Sequence, residues 1–276
     1  MQKRSIADNA PGGRRDPWLR RYHSTDALAE LICFPHAGGA AGYWRRLSAA
    51  VQPFADLRAV QYPGRQDRYR EPAVRDLHRL ADLIAARLAA GPPPAGPRVL
   101  VGHSMGASVA HEVALRLSRL PGQGPAGLVV SGRRAPSRLG AGKRPETDEA
   151  LVARVRALGG TDPAVLADPE LLEVILPALR ADYDAVAAYV PGGGLLACPV
   201  VALTGDCDAE APAEDVAPWR EATRGSFALR VLAGGHFFLD DHVPAVAETV
   251  LALCGVVPAG GGGAGGAAVT GGAERI

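Results

Sequence analysis

The chain is defined first by what it lacks. Its four cysteines, Cys33, Cys198, Cys207 and Cys254, contain no C-x-x-C pair and mostly sit in apolar runs. That excludes the common zinc and dithiol motifs and predicts buried free thiols in a reducing compartment. No apolar run reaches the length of a membrane span. The first thirty residues are rich in Arg and Asp and lack the apolar centre of a signal peptide, so a cytoplasmic protein is expected. An excess of one charge is missing too. A formal net charge of +1 leaves no electrostatic case for nucleic acid or for an anionic membrane surface.

What is present is one large α/β domain. A chain of 276 residues can bury a substantial core but is too short for two domains of comparable size. Residues 1–28 read as a loosely held leader, with Trp18 and Leu19 able to dock on the body. Residues 257–276 are Gly/Ala low complexity with almost nothing to bury and are expected to be disordered. The domain over 29–256 alternates. Apolar strands in ELICFPHAGG, LRAVQYPGR, RVLVGHS, GLVVSGRRAP, CPVVALTGD and ALRVLAGGH are separated by helical patterns near Tyr43–Val51, Val74–Ala89, Ala107–Leu117 and Val243–Leu253. Strands this apolar predict a mostly parallel central sheet flanked by helices on both faces. Between about 137 and 190 the rhythm breaks into helical segments such as DEALVARVRAL and PELLEVILPALRADYDAVAAYV. An insertion at the carboxyl end of a parallel sheet lies over the ligand crevice, so a lid is expected, with a purely structural helical cap as the alternative. Gly140, Gly142, Gly159 and Gly160 offer it hinge points.

The chemistry centres on Gly102-His103-Ser104-Met105-Gly106, where a strand pattern hands over to a helix pattern. It fits G-x-S-x-G, a nucleophile elbow in which a sharp turn holds the serine in a strained conformation and flanking glycines admit close backbone approach. Five residues alone are weak evidence; a strand–turn–helix joint could use the same small residues for packing. A serine hydroxyl needs a base, and the base needs an orienting carboxylate. In the α/β-hydrolase arrangement these follow in the order Ser, Asp or Glu, His, each just past a strand. Of the seven histidines only His236 and His242 lie well beyond the insertion. His236 ends a strand after two glycines and is expected to be the base, whereas His242 opens the last helix at a solvated position. His36, His103 and His111 are expected to pack or hydrogen-bond locally. Asp208, two residues beyond Asp206, can bend back towards the histidine loop and is the preferred acid; Asp206 remains in reserve. The oxyanion donors are expected to be the amides of Met105 and of Ala37, the latter in the loop Phe34-Pro35-His36-Ala37-Gly38-Gly39. An α/β-hydrolase fold with a helical lid insertion is therefore expected.

Taken together, LICFPHAGGAAGYW, AVQYPGRQDR, LVGHSMGASVAHEVALRL, VVSGRRAPS, LRADYDAVAAY, TGDCD and LAGGHFFL resemble the type II thioesterases. These are stand-alone editing enzymes of polyketide synthases and non-ribosomal peptide synthetases. The resemblance runs from about Trp18 to Leu253. It implies hydrolysis of acyl groups from the phosphopantetheine arm of acyl or peptidyl carrier domains, clearing aberrant or stalled chains. It also implies Ser104 as nucleophile, Asp208 as acid, His236 as base, and Ala37 and Met105 as oxyanion donors. No metal or organic cofactor is implied, since the pantetheine belongs to the partner, and a monomer is expected. Arg133, Arg134, Arg138, Lys143 and Arg144 are candidates for a basic patch facing an acidic carrier domain. A carboxylester hydrolase, an acyltransferase and a non-catalytic binding protein on the same fold remain as alternatives.

Overall fold

The computed structural model describes residues 16–91, 93–140 and 146–256. In chain order the elements are β1 (Leu19–Arg21), β2 (Ala29–Phe34), α1 (Arg45–Ala50), β3 (Ala55–Val60), α2 (Leu77–Ala89), β4 (Arg98–His103), α3 (Met105–Leu117) and β5 (Gly127–Ser131). Then follow α4 (Asp148–Leu158), α5 (Pro163–Ala167), α6 (Pro169–Ala188), β6 (Val200–Gly205), α7 (Ala213–Val216), β7 (Phe227–Leu232) and α8 (Val243–Leu253). Seven strands form one sheet in the order β1-β3-β2-β4-β5-β6-β7. Every pairing is parallel except that of β1 with β3.

The two-residue period of a strand divides the core between two faces. Ile32, Phe34, Leu100, Leu128 and Val130 pack with α2 and α3 residues such as Ile84 and Val113. Their neighbours Leu31, Cys33, Val99, Val101 and Val129 pack with Leu47 of α1 and Val250 of α8. Both faces are therefore covered, which is why these strands are largely apolar; the charged exceptions Glu30 and Arg98, near the strand starts, form an ion pair with each other. From β2 the chain steps to β3 on one side and later to β4 on the other. That reversal opens a crevice at the carboxyl ends of β2 and β4.

The insertion after β5 builds its own small core from Leu151, Val155, Leu166 and Leu179. Thr147 caps α4 by accepting the Ala150 amide at 3.2 Å, and Gly159 ends it at φ 82°. Asp168 caps α6 with bonds to the Glu170 and Leu171 amides. The far end of α6 leaves this cluster, and Ala185 and Tyr189 join the main core. The cap is thus anchored at its C-terminal end.

Some expectations are corrected. Within the segment 1–28, read as a loose leader with Trp18 and Leu19 able to dock, both residues pack against the main core, and beyond that expectation Leu19–Arg21 add an antiparallel strand to the edge of β3. The Trp18 carbonyl accepts the Gln61 amide at 2.8 Å, and the Arg68 guanidinium lies 4.2 Å from the Trp18 ring centroid. An open edge ladder is a template for another strand, and a three-residue segment carries too little pattern to reveal it. Helix α2 begins at Leu77 rather than near Val74, because Asp76 caps it by accepting the Arg79 amide at 2.7 Å. Cys33 and Cys254 are buried, but Cys207 is exposed. The expected tail at 257–276, residues 1–15, Gly142, Lys143 and Arg144 lie outside the described residues. Among the described residues no helix is long and apolar enough to cross a membrane.

Candidate active site

Ser104 stands between β4 and α3 at φ 54°, ψ −120°. For a residue with a side chain this region costs roughly 1–3 kcal/mol. The turn is held by the Ser104 amide, which donates to the Ser131 carbonyl at 2.8 Å. The glycines on either side are required sterically. A Cβ on Gly102 would sit 2.2 Å from the Gly106 carbonyl oxygen, and one on Gly106 would sit 2.1 Å from that of Phe34. The sharp turn lifts the serine out of the sheet at the crevice between β2 and β4.

His236 follows β7 and Asp208 follows β6. His236 Nδ1 lies 2.9 Å from Asp208 Oδ2 and 3.1 Å from Oδ1, while Nε2 lies 3.0 Å from Ser104 Oγ. Asp208 and His236 are both buried. A carboxylate only accepts, so the ring proton on Nδ1 faces Asp208 and Nε2 is left to accept from the serine hydroxyl. Asp208 Oδ1 also accepts the amides of Glu210 at 2.9 Å and Ala211 at 3.3 Å. Asp206 turns elsewhere: exposed, it accepts the Gly234 amide at 2.8 Å and ties the β6 loop to the β7 loop. That bond holds its carboxyl below the usual range. His242 Nε2 lies 2.8 Å from the Ala233 carbonyl, away from Ser104.

A cavity of about 530 Å³ opens over Ser104. Ala37, Met105 and His236 line it from the sheet side, and Arg154, Leu158, Tyr183 and Val186 from the cap. Neither the Ala37 nor the Met105 amide donates a hydrogen bond among the described residues. An unused amide beside a serine is what a developing oxyanion requires. Arg133, Arg134 and Arg138 also face this cavity. Arg133 donates to Ser108 Oγ at 2.8 Å, and burial pulls its pKa down to about 10, so it stays charged. Arg134 donates to the Glu210 carbonyl and pairs with Asp215 at 3.4 Å, while Arg138 is exposed.

A model of the thioesterase domain family matches residues 29–254. This chain belongs to the thioesterase family. The chain is 47% identical over 232 residues to a Streptomyces griseus protein named as a probable cadicidin biosynthesis thioesterase. The match spans 83% of this chain but 63% of that protein. It is 46% identical over 232 residues to thioesterase PikA5 of Streptomyces venezuelae, spanning 81% of this chain and 80% of the relative. The solved structure of the type II thioesterase BorB from the borrelidin biosynthetic cluster superposes with a TM-score of 0.80 at 41% identity. That match covers 88% of this chain and 99% of BorB.

Two features of this site are not legible in the sequence. His36, Tyr43, His103 and Phe237 form a ring cluster behind His236, with His103 and Phe237 centroids 5.1 and 5.3 Å from the His236 ring. Burial pushes His36 down to about 3 and His103 well below its ordinary value, so both stay neutral. They come from three separate segments, 36–43, 103 and 237, and only the fold gathers them. The second feature is a buried ion pair between Arg65 and Asp182 that joins the β3 loop to α6. The quoted phrases AVQYPGRQDR and LRADYDAVAAY contain both residues, but nothing in either shows that they meet.

Proposed function

We propose that this protein hydrolyses acyl thioesters held on the phosphopantetheine arm of carrier domains, removing aberrant or stalled groups during polyketide or non-ribosomal peptide assembly. One observation carries the reading. Ser104, His236 and Asp208 are linked in a single hydrogen-bonded chain that opens on a cavity bordered by two unused amides. In the proposed mechanism Ser104 Oγ attacks the thioester carbonyl as His236 Nε2 takes the hydroxyl proton. Asp208 stabilises the imidazolium. The Ala37 and Met105 amides hold the oxyanion. Collapse expels the pantetheine thiol, and water activated by His236 then cleaves the acyl-enzyme. The neutral rings of His36 and His103 place no positive charge against the imidazolium. These steps call on no metal or organic cofactor. In the same reading α4–α6 act as a lid that shapes the acyl pocket, and the partners are acyl or peptidyl carrier domains.

The test compares acyl-N-acetylcysteamine thioesters with matched oxygen esters, then uses mass spectrometry of acyl-loaded carrier domains. Thioesters and loaded carriers should be turned over faster than oxygen esters. Ser104→Ala should abolish turnover without altering the thermal melt. Preferred oxygen-ester turnover would make the protein a carboxylester hydrolase. Accumulation of an acyl-enzyme that yields only to an added alcohol or amine would make it an acyltransferase. Absence of any turnover would leave a binding protein.

A further inference from the structure

Asp182 lies on the cap helix α6, yet its carboxylate is spent on the loop after β2. Its Oδ2 accepts the Gly38 amide at 2.7 Å and Arg65 Nη1 at 2.7 Å, and its Oδ1 accepts Arg65 Nη2 at 2.8 Å. Arg65 Nη1 also donates to the Gly39 carbonyl at 3.0 Å. The Gly39 amide closes back on the His36 carbonyl at 3.0 Å, and Gly38 has φ 76°. A closed four-residue turn with positive φ at its third position has the form of a type II turn. Ala37 is its second residue; it lines the cavity, and its amide donates no hydrogen bond among the described residues. Leu179, one turn earlier on α6, presses on the same place: a Cβ on Gly38 would lie 2.6 Å from Leu179 Cδ1.

We propose that Asp182 is a positioning residue for catalysis: with Arg65 it clamps the turn that presents the Ala37 amide to the reacting carbonyl, so the oxyanion site is complete only when α6 is seated. The proposal rests on the thioesterase mechanism above and on Ala37 as an oxyanion donor. It extends both by making the cap part of the catalytic geometry rather than only of the pocket wall. Two physical facts favour it over a simple strut. Asp182 and Arg65 are 2% and 8% exposed, and a buried ion pair contributes little net stability compared with apolar residues of the same volume. Besides a 3.4 Å bond from Arg65 Nε to the Pro63 carbonyl, the pair's remaining bonds go to the Gly38 amide and the Gly39 carbonyl of the turn that carries Ala37, where a displacement of about 1 Å is enough to cost 10²-fold in rate.

The test starts with Asp182→Asn, which keeps the shape but leaves the buried guanidinium without its counter-charge. For a small acyl-N-acetylcysteamine thioester, kcat should fall about 10- to 100-fold with KM changed less than about threefold. That is less than the roughly 10²–10³ lost when a donor is removed outright. A trifluoromethyl ketone analogue, which forms an oxyanion on Ser104, should lose affinity in proportion. A thioether analogue with no carbonyl should not. The second variant is Arg65→Met with Asp182→Leu, which removes the unpaired charge and restores the melting temperature. Its kcat should stay low, because nothing then holds the Gly38 amide. If kcat recovers together with the melting temperature, or ketone and thioether weaken alike, Asp182 is a strut and the proposal fails. A wild-type protein that neither hydrolyses thioesters nor forms the ketone adduct overturns the thioesterase reading itself. An active wild type with an unaffected Asp182→Asn variant overturns this inference alone.

Discussion

Asp206 and Asp208 are separated by a single residue, and their environments assign them different work. Asp206 leaves the end of β6 into solvent and accepts one backbone amide from the neighbouring loop. Asp208 is buried, holds both oxygens near His236 Nδ1, and is itself oriented by the Glu210 and Ala211 amides. Asparagine at position 206 can still accept from Gly234. At position 208 it offers the imidazole an amide that can donate, which favours the wrong tautomer. Asp208→Asn should therefore lower kcat by about 10⁴, while Asp206→Asn should stay within a few-fold. Steady-state kinetics on one soluble acyl thioester decides between them.

At the scale of elements, the cap meets the sheet domain through contacts tighter than a hinge would make. Gly160, just past α4, reads from sequence as a hinge point. A Cβ there would lie 1.9 Å from Phe237 Cζ. That half-buried ring already packs on three histidines: His36 and His103 centroids lie 4.8 and 5.3 Å away, and His236 is at 5.3 Å. Gly160→Ala must push Phe237 towards the histidines or push the α4–α5 connection outward. Overpacking of this kind costs roughly 1–3 kcal/mol, and a several-fold fall in kcat/KM should accompany it. Shortening the ring with Phe237→Leu should be destabilising alone yet relieve Gly160→Ala. A double-mutant cycle by urea unfolding should return a coupling of about 0.5–3 kcal/mol. Additive losses would mean that Gly160 serves chain flexibility after all.

Over the whole molecule, charge and protonation act in two ways. With a formal net charge of +1, the chain can steer an acidic partner only through a local patch. Of the described arginines at the cavity, Arg134 and Arg154 are ion-paired and Arg133 is partly buried, which leaves exposed Arg138 as the cation without an ion-pair partner among the described residues. Arg138→Glu should raise KM for an acyl-carrier substrate, most at low ionic strength, and leave a small thioester unaffected. Equal effects on both substrates would place Arg138 in the pocket chemistry. Protonation sets stability. Burial holds His36 at about 3, His111 at about 4 and His103 well below its ordinary value, against about 6.5 when unfolded. Below pH 6.5 the unfolded chain therefore binds more protons than the folded one. Stability present above pH 6.5 is lost as pH falls towards 4, by up to about 1.4 kcal/mol per pH unit for each histidine. Among the described residues His111 has no hydrogen-bond partner on either ring nitrogen, and it packs on Trp219. His111→Leu should flatten the slope of unfolding free energy between pH 6.5 and 5 by about one proton while kcat is retained. An unchanged slope would mean that His111 is already protonated in the fold.

The alternating apolar strands, the G-x-S-x-G turn and the chain order Ser104, Asp208, His236 were all legible in the sequence, because each depends on local pattern. A parallel strand buried on both faces must be apolar along its length. An elbow packed at 2.1–2.2 Å from backbone atoms must have glycine on either side. Strand β1 was not legible, since its partner is the open edge of β3 and three residues hold no period. The choice between Asp206 and Asp208 could be ranked by reach but not decided, because burial separates them and burial belongs to the assembled loops. The ring cluster behind His236 and the Asp182–Arg65 clamp were invisible for the same reason. Asp182 and Arg65 are 117 residues apart, and an ion pair at such separation leaves no periodicity in the chain. Local pattern determined the sheet, the serine turn and the chain order of the three hydrogen-bonded groups. Tertiary packing decided which carboxylate faces the imidazole and which helix holds the turn beside it, because both depend on low-dielectric contacts that exist only once distant segments have met.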